Sequence, residues 1–211
     1  MRLLSYRAKC GDAFHLQYEG ESGKRRNIFL DMGHTKTYTQ VLKGVISNIV
    51  GASEQIDALF LSHIHDDHIG GASRFINDIQ KDSALGNVVI RWIYNAPRKY
   101  DVEETDDKKA GVLCGLVSGD KVYEHILSHR PTDLGDVLEG MSFNIDGMIV
   151  TILSPNESKL NLLRRKYSNN RPLCKSETDE VSIEAGNVKD DYATLLNKFK
   201  TDCFQEDLSI E

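Results

Sequence analysis

The chain has 211 residues, enough to bury one sizeable core, and its 40% hydrophobic and 27% charged content is that of an ordinary globular protein. Acidic residues outnumber basic ones by 32 to 26, a formal charge of -6, which argues against nonspecific binding to a nucleic-acid backbone; the compact basic clusters, Lys24 to Arg26 and Arg164 to Lys166, read as a solvated turn and an exposed helix face. No stretch approaches the roughly 20 apolar residues of a membrane span, the N-terminus lacks the apolar region of a secretion signal, and Cys10, Cys114, Cys174 and Cys203 form no CxxC pair, so a cytoplasmic protein without a disulfide or thiolate framework is expected.

The first third alternates short β-type runs with turn residues: "RLLSYR" at 2 to 7, "AFHLQYEG" at 13 to 20 and "RNIFLDMG" at 26 to 33, which predicts an antiparallel meander. Residues 38 to 50 then place Val41, Leu42, Val45, Ile46 and Ile49 at the spacing of an amphipathic helix. The apolar run "IDALFLS" at 56 to 62 predicts a strand buried on both faces between helix layers. Helical spacing returns through Ile69, Phe75, Ile76 and Ile79, and "NVVIRWIY" at 87 to 94 reads as the next strand, so the order is that of an α/β layering.

From Asn95 to Gly140 the periodicity weakens: "DVEETDDKKAG" reads as a charged loop, and "KVYEHILSHR" at 121 to 130 as a helix. The segment "MSFNIDGMIVTILSP" at 141 to 155 holds two β runs joined through Asp146-Gly147, a hairpin signal. Pro155 opens a helical stretch through Leu160, Leu163 and Tyr167, followed by a polar loop and a last helix, "YATLLNKFK". With no internal repeat and no linker composition, residues 1–211 read as a single domain.

The chemistry concentrates in "HIHDDH", which directly follows the central apolar strand. His63 and His65 lie two apart on an extended segment, so both imidazoles can face the same side, while Asp67 and His68 lie beyond a turn and can address a second point. Two neighbouring ligand sets suit a pair of divalent ions about 3.5 to 4 Å apart. Imidazole and carboxylate without thiolate favour Zn, Mn or Fe. Gly70 and Gly71 remove Cβ atoms where the loop enters the helix and allow close backbone approach.

In Ser62, His63, His65, Asp67, His68, Gly70 and Gly71 the sequence resembles the metallo-β-lactamase superfamily, whose signature is T/S-H-x-H-x-D-H-x-G-G. Asp31, ending "NIFLD", matches the aspartate that braces the ligand loop in such proteins. The stretches "CGDAFHLQY" and "VTILSPNESKLNLL" also look like a bacterial subgroup related to the hydrolase domains of competence proteins, some members of which travel with antiphage defence genes. The resemblance implies an αββα sandwich in which His63 and His65 bind a first ion and Asp67 and His68 a second. It also implies that water activated at the metal attacks an ester, amide or phosphodiester, with Asp67 as the orienting or proton-accepting group.

The resemblance further implies ligands downstream, and there the chain departs from the pattern. After His68 the histidines are His125 and His129, four apart on the predicted helix; Asn95 stands where a third histidine would fall; and Asp120 of "GVLCGLVSGD" imitates a bridging aspartate but reads as a turn opening the next helix. These gaps lead to the expectation of a sandwich incomplete at its C-terminus. Two functions are compatible with this pattern: a hydrolase of a phosphodiester, nucleotide or other small-molecule ester, or a non-catalytic subunit that binds a protein partner or a missing second half, within a defence system in some relatives.

Overall fold

The computed structural model describes residues 1–8, 11–96 and 113–169, all within one compact unit, Met1–Pro172. The predicted helix "YATLLNKFK", the charged loop before α4, and Cys10, Cys174 and Cys203 lie outside the described residues. Strands β1 (Arg2–Ser5), β2 (Phe14–Glu19) and β3 (Arg25–Leu30) form the predicted antiparallel meander, and β4 (Ala58–Leu61) and β5 (Trp92–Tyr94) add to β3 in parallel, giving the order β1-β2-β3-β4-β5. Every residue of β4 is buried, as its unbroken apolar run requires of a strand covered on both faces. β5 is shorter than the run "NVVIRWIY" because residues 87 to 91 leave the ladder after a single bridge, Ile56 to Val89.

The parallel strands need crossovers, and these are helical. Between β3 and β4 run α1 (Thr35–Thr37), a π-helical turn (Tyr38–Leu42) and α2 (Lys43–Gly51); α3 (Asp66–Ile79) joins β4 to β5. Phe29, Leu59, Leu42, Ile46, Ile69, Phe75 and Ile76 meet in one core on this face of the sheet, with Val122 and Ile126 of α4 (Leu113–His129). The other face packs Tyr18, Ile28, Phe60 and Ile93 against the hairpin β6 (Ser142–Ile145) and β7 (Met148–Thr151). Asp146 (φ 47°) and Gly147 (φ 92°) make the hairpin turn, as the sequence predicts. The last helix among the described residues, α5 (Glu157–Asn169), comes after Pro155.

Polar groups pin these layers together. The Asp146 carboxylate accepts from Ser22 and from Arg26 Nε (2.7 Å), and Arg26 also reaches Asp57 (2.8 Å), so the basic turn at 24 to 26 is tied down rather than merely solvated. Arg164 corrects the expectation of an exposed helix face more sharply: it is buried and donates to Asp136 (2.8 Å) and to the Ala96 carbonyl. Within the sheet, buried His15 stacks on Phe29 (centroids 4.2 Å apart) and bonds to Tyr6 and Asn27, both at 3.0 Å. Burial holds His15 below the usual imidazole range, so it is a neutral core histidine.

The longest departure from the sequence expectation is α4. "GVLCGLVSGD" reads as an imitation of a strand ending in Gly-Asp, or as a turn, yet the helix begins at Leu113 and carries Asp120 in its middle. Glycines 115 and 119 make the reason visible. A Cβ at Gly115 would overlap the carbonyl oxygen of Ile64, and one at Gly119 would meet the Tyr94 hydroxyl and the Ile64 side chain. The helix therefore lies with its small-residue face against the segment that carries His63 and His65.

Candidate metal centre

The histidine segment leaves the end of β4 as extended chain and becomes helix inside the motif itself. His65 is the N-cap of α3 with extended backbone (φ -67°, ψ 142°), and its carbonyl accepts from His68 N (2.9 Å) and Ile69 N (3.0 Å). Its imidazole makes no capping bond, so the ring is not committed to the helix. Asp66 and Asp67 occupy the first turn, where the helix dipole favours negative charge. A Cβ at Gly71 would overlap the Met32 carbonyl, and Gly71 N donates to Gly33 O (2.7 Å), which locks the helix start against the end of β3.

Asp31 organises the motif from behind. It is buried, sits at φ 56°, a conformation that aspartate tolerates better than most residues, and its Oδ1 accepts from the Ser62 amide at 2.8 Å. Its Oδ2 accepts from the Ser62 hydroxyl at 2.5 Å and from His68 Nδ1 at 2.9 Å. These bonds set the ring protons. A carboxylate only accepts, so His68 carries its proton on Nδ1 and presents the lone pair of Nε2. Ser62 gives its own proton to Asp31, so in its 2.9 Å bond to His63 Nδ1 it is the acceptor, and His63 likewise presents Nε2. One buried carboxylate thus fixes the tautomer of two histidines, a familiar arrangement behind metal-binding imidazoles.

The rings are neighbours: His63 lies with its centroid 4.7 Å from that of His65 and 4.0 Å from that of His68. Burial, and then the closeness of His68 and His65, hold His63 below the usual imidazole range, so it is neutral and its lone pair is free near pH 7. Asp67 Oδ2 stands 3.8 Å from His68 Nε2. Asp66 is turned elsewhere, toward His34 Nδ1 (3.3 Å) and Ser118 Oγ (3.3 Å), so the structure separates the roles of the two adjacent aspartates. Imidazoles beside a carboxylate, with no thiolate among the described residues, make a donor set that fits divalent Zn, Mn or Fe.

Sequence reasoning missed Asp12. Among the described residues, Asp12, Asp31 and His68 form a group whose ligand atoms all lie within 4.8 Å of one another, with Asp12 Oδ2 3.7 Å from His68 Nδ1. The only local signal for it was "CGD" ahead of a strand, which specifies a turn and not its destination.

The downstream candidates are committed to other contacts. Asn95 Nδ2 donates to the Val137 carbonyl and its Oδ1 accepts from Val137 N, both at 2.8 Å, so its amide is used as a structural clip. Asp120 lies within α4 rather than at a strand end. His125 and His129 do share a helix face, stacked at 4.5 Å, and His125 is buried edge-on against Trp92 at 5.4 Å.

Burial, with a smaller contribution from His129, pushes the His125 imidazole down to about 4. The unfolded chain binds this proton near pH 6.5 and the folded chain does not, so the stability associated with neutral His125 is complete above that pH and declines as pH falls toward 4. Urea unfolding should therefore show about 2 kcal/mol less stability at pH 5 than at pH 7 from this residue. His125→Leu should remove that part of the pH dependence. An unchanged pH slope in the variant would refute the assignment.

No helix among the described residues is long and apolar enough to cross a membrane. No curated protein matches the chain at a significant level. The family model of the metallo-beta-lactamase superfamily matches residues 21–144, more than half of the 211-residue chain. The matched span carries Asp31, the whole histidine motif and α4, and the mixed five-stranded sheet with its helices is the α/β architecture the superfamily requires. Members of that superfamily commonly bind divalent metals, which supports a metal-dependent, hydrolase-type function in general terms. By its sequence signature and by its fold, the chain belongs to the metallo-beta-lactamase superfamily.

Proposed function

We propose that the protein is a metal-dependent hydrolase acting on a phosphodiester, a nucleotide or a related ester. The observation that supports this best is the Asp31–Ser62–His63 and Asp31–His68 hydrogen-bond chain, which turns the Nε2 of two neighbouring imidazoles away from these bonds, that of His68 3.8 Å from Asp67. His63 and His65 hold one ion and Asp67 with His68 addresses a second; zinc is the first choice of metal, with manganese or iron as alternatives. A divalent ion at this place supplies Lewis acidity, lowering the pKa of water toward neutrality and stabilising negative charge on the substrate oxygen. Asp67 orients the attacking water and accepts its proton, being the motif carboxylate left free by the His34 and Ser118 contacts of Asp66.

Titration of the purified chain with Zn(II) and Mn(II), followed by turnover of bis-p-nitrophenyl phosphate, tests this reading. His63→Ala should weaken binding at least tenfold and abolish turnover. A wild-type chain that binds neither ion, or binding unchanged in His63→Ala, would sink it. A second reading, a non-catalytic member of the fold that binds a protein partner, is favoured by one observation: Asn95, His125 and Asp120 are placed as structural residues. Metal binding without turnover, together with a stable complex at native expression levels, would distinguish that reading.

A further inference from the structure

We propose that Gly11 and Asp12, just ahead of β2, belong to the metal centre, and that Asp12 is a positioning residue that raises the cation affinity of His68. The inference rests on the hydrolase reading only in taking His68 as a ligand; it holds equally for a metal-binding member that does not turn over.

Three observations carry it. The Asp12 carboxylate lies 3.7 Å from His68 Nδ1, on the same side of the ring as Asp31, whose bond to that nitrogen is 2.9 Å. Two carboxylates within 4.8 Å of one another repel unless positive charge lies beside them. An imidazole that has given its Nε2 lone pair to a cation supplies that charge at its Nδ1–H, so the second carboxylate stabilises the loaded state more than the empty one. Lastly, the place of Gly11 is enforced by packing. Gly11 runs against the backbone of Asp67 so closely that a Cβ there would overlap the Asp67 carbonyl, and Tyr6 N donates to Ala13 O (2.9 Å), next to Asp12. Gly11, directly before Asp12, therefore rests on the helix start that carries Asp67 and His68.

The Asp12 side chain is half exposed, at 52%, so its influence is electrostatic and is screened by salt. Removing it also leaves no buried donor unsatisfied among the described residues. That separates its effect on metal affinity from any effect on folding.

The test is a competition titration of the full chain with Zn(II) against a fluorescent chelator, for wild type, Asp12→Asn, Asp12→Glu, Gly11→Ala and the double variant. Asp12→Asn should bind the ion about tenfold more weakly at low ionic strength, with the gap closing as salt is raised. Asp12→Glu should restore affinity to within a few-fold, and the melting temperature of the metal-free Asp12→Asn protein should match that of wild type. Gly11→Ala, which displaces Asp12 and also presses on the Asp67 carbonyl, should weaken binding at least as much as Asp12→Asn, alone and in the double variant. Equal affinity of Asp12→Asn and wild type, while His63→Ala binds more weakly, overturns this inference and leaves the hydrolase reading standing. A matching loss in Asp12→Asn and Asp12→Glu, accompanied by a lower melting temperature, also overturns it, because the effect is then structural. A wild-type chain that binds no ion removes the hydrolase reading and this inference together.

Discussion

Replacement of Asp31 by asparagine is expected to lower the melting temperature of the metal-free protein by roughly 5–15 °C and to weaken Zn(II) binding by about 100-fold or more. Three donors converge on this carboxylate: the Ser62 amide, the Ser62 hydroxyl and His68 Nδ1. Asparagine keeps the shape and one acceptor, but its amide nitrogen meets the Ser62 hydroxyl and the His68 N–H as a donor facing donors. Leaving buried groups unsatisfied in this way costs about 2–4 kcal/mol. For a domain of this size each kcal/mol shifts the melting temperature by about 2–4 °C. The loss of metal affinity has a separate cause. Without the carboxylate, His68 is no longer held as the Nδ1–H tautomer and Ser62 no longer needs to accept from His63, so both Nε2 donors lose their orientation. Differential scanning calorimetry and metal titration on the same preparations check the two halves. An Asp31→Asn protein that melts and binds like wild type would refute the role assigned to Asp31.

Gly115→Val should reduce metal binding and turnover by roughly 100-fold although it touches no ligand side chain. A Cβ at this position overlaps the Ile64 carbonyl and crowds the Cα of His65, so either α4 retreats or the His63–His65 segment moves. Overpacking of this kind costs about 1–3 kcal/mol, and a shift of about 1 Å in a reacting group is enough for the kinetic loss. Gly44→Val in α2, where a Cβ meets nothing within 4 Å, is the matched control and should leave binding intact. Equal metal affinity in the two variants would show that α4 does not set the position of the histidine segment. The effect on the site should also appear as a changed Co(II) visible spectrum, which a merely less stable protein with unaltered geometry would not show.

The sequence by itself determined whatever depends on neighbours within a dozen residues. α3 begins at Asp66, earlier than the entry at Gly70 and Gly71 that the sequence suggests, but the meander from Arg2 to Leu30, the buried strand Ala58–Leu61 and the Asp146-Gly147 hairpin were all legible, because turn residues and hydrophobic period act locally. The superfamily was legible for the same reason, since its signature is one unbroken stretch, Ser62 to Gly71. Tertiary structure decided which groups stand behind that stretch. Asp31 showed itself as a strand-ending aspartate, but its bond to His68 spans 37 positions, and the approach of Asp12 to the same ring is set by how a turn rests on a distant helix. The burial of Arg164 on Asp136, the use of Asn95 as a clip on Val137 and the course of α4 across Ile64 likewise depend on partners far along the chain. Periodicity says which face of an element is apolar or small. What that face meets is settled only when the sheet and its crossovers close around it, and at this site that closure supplies the carboxylates that hold the histidines.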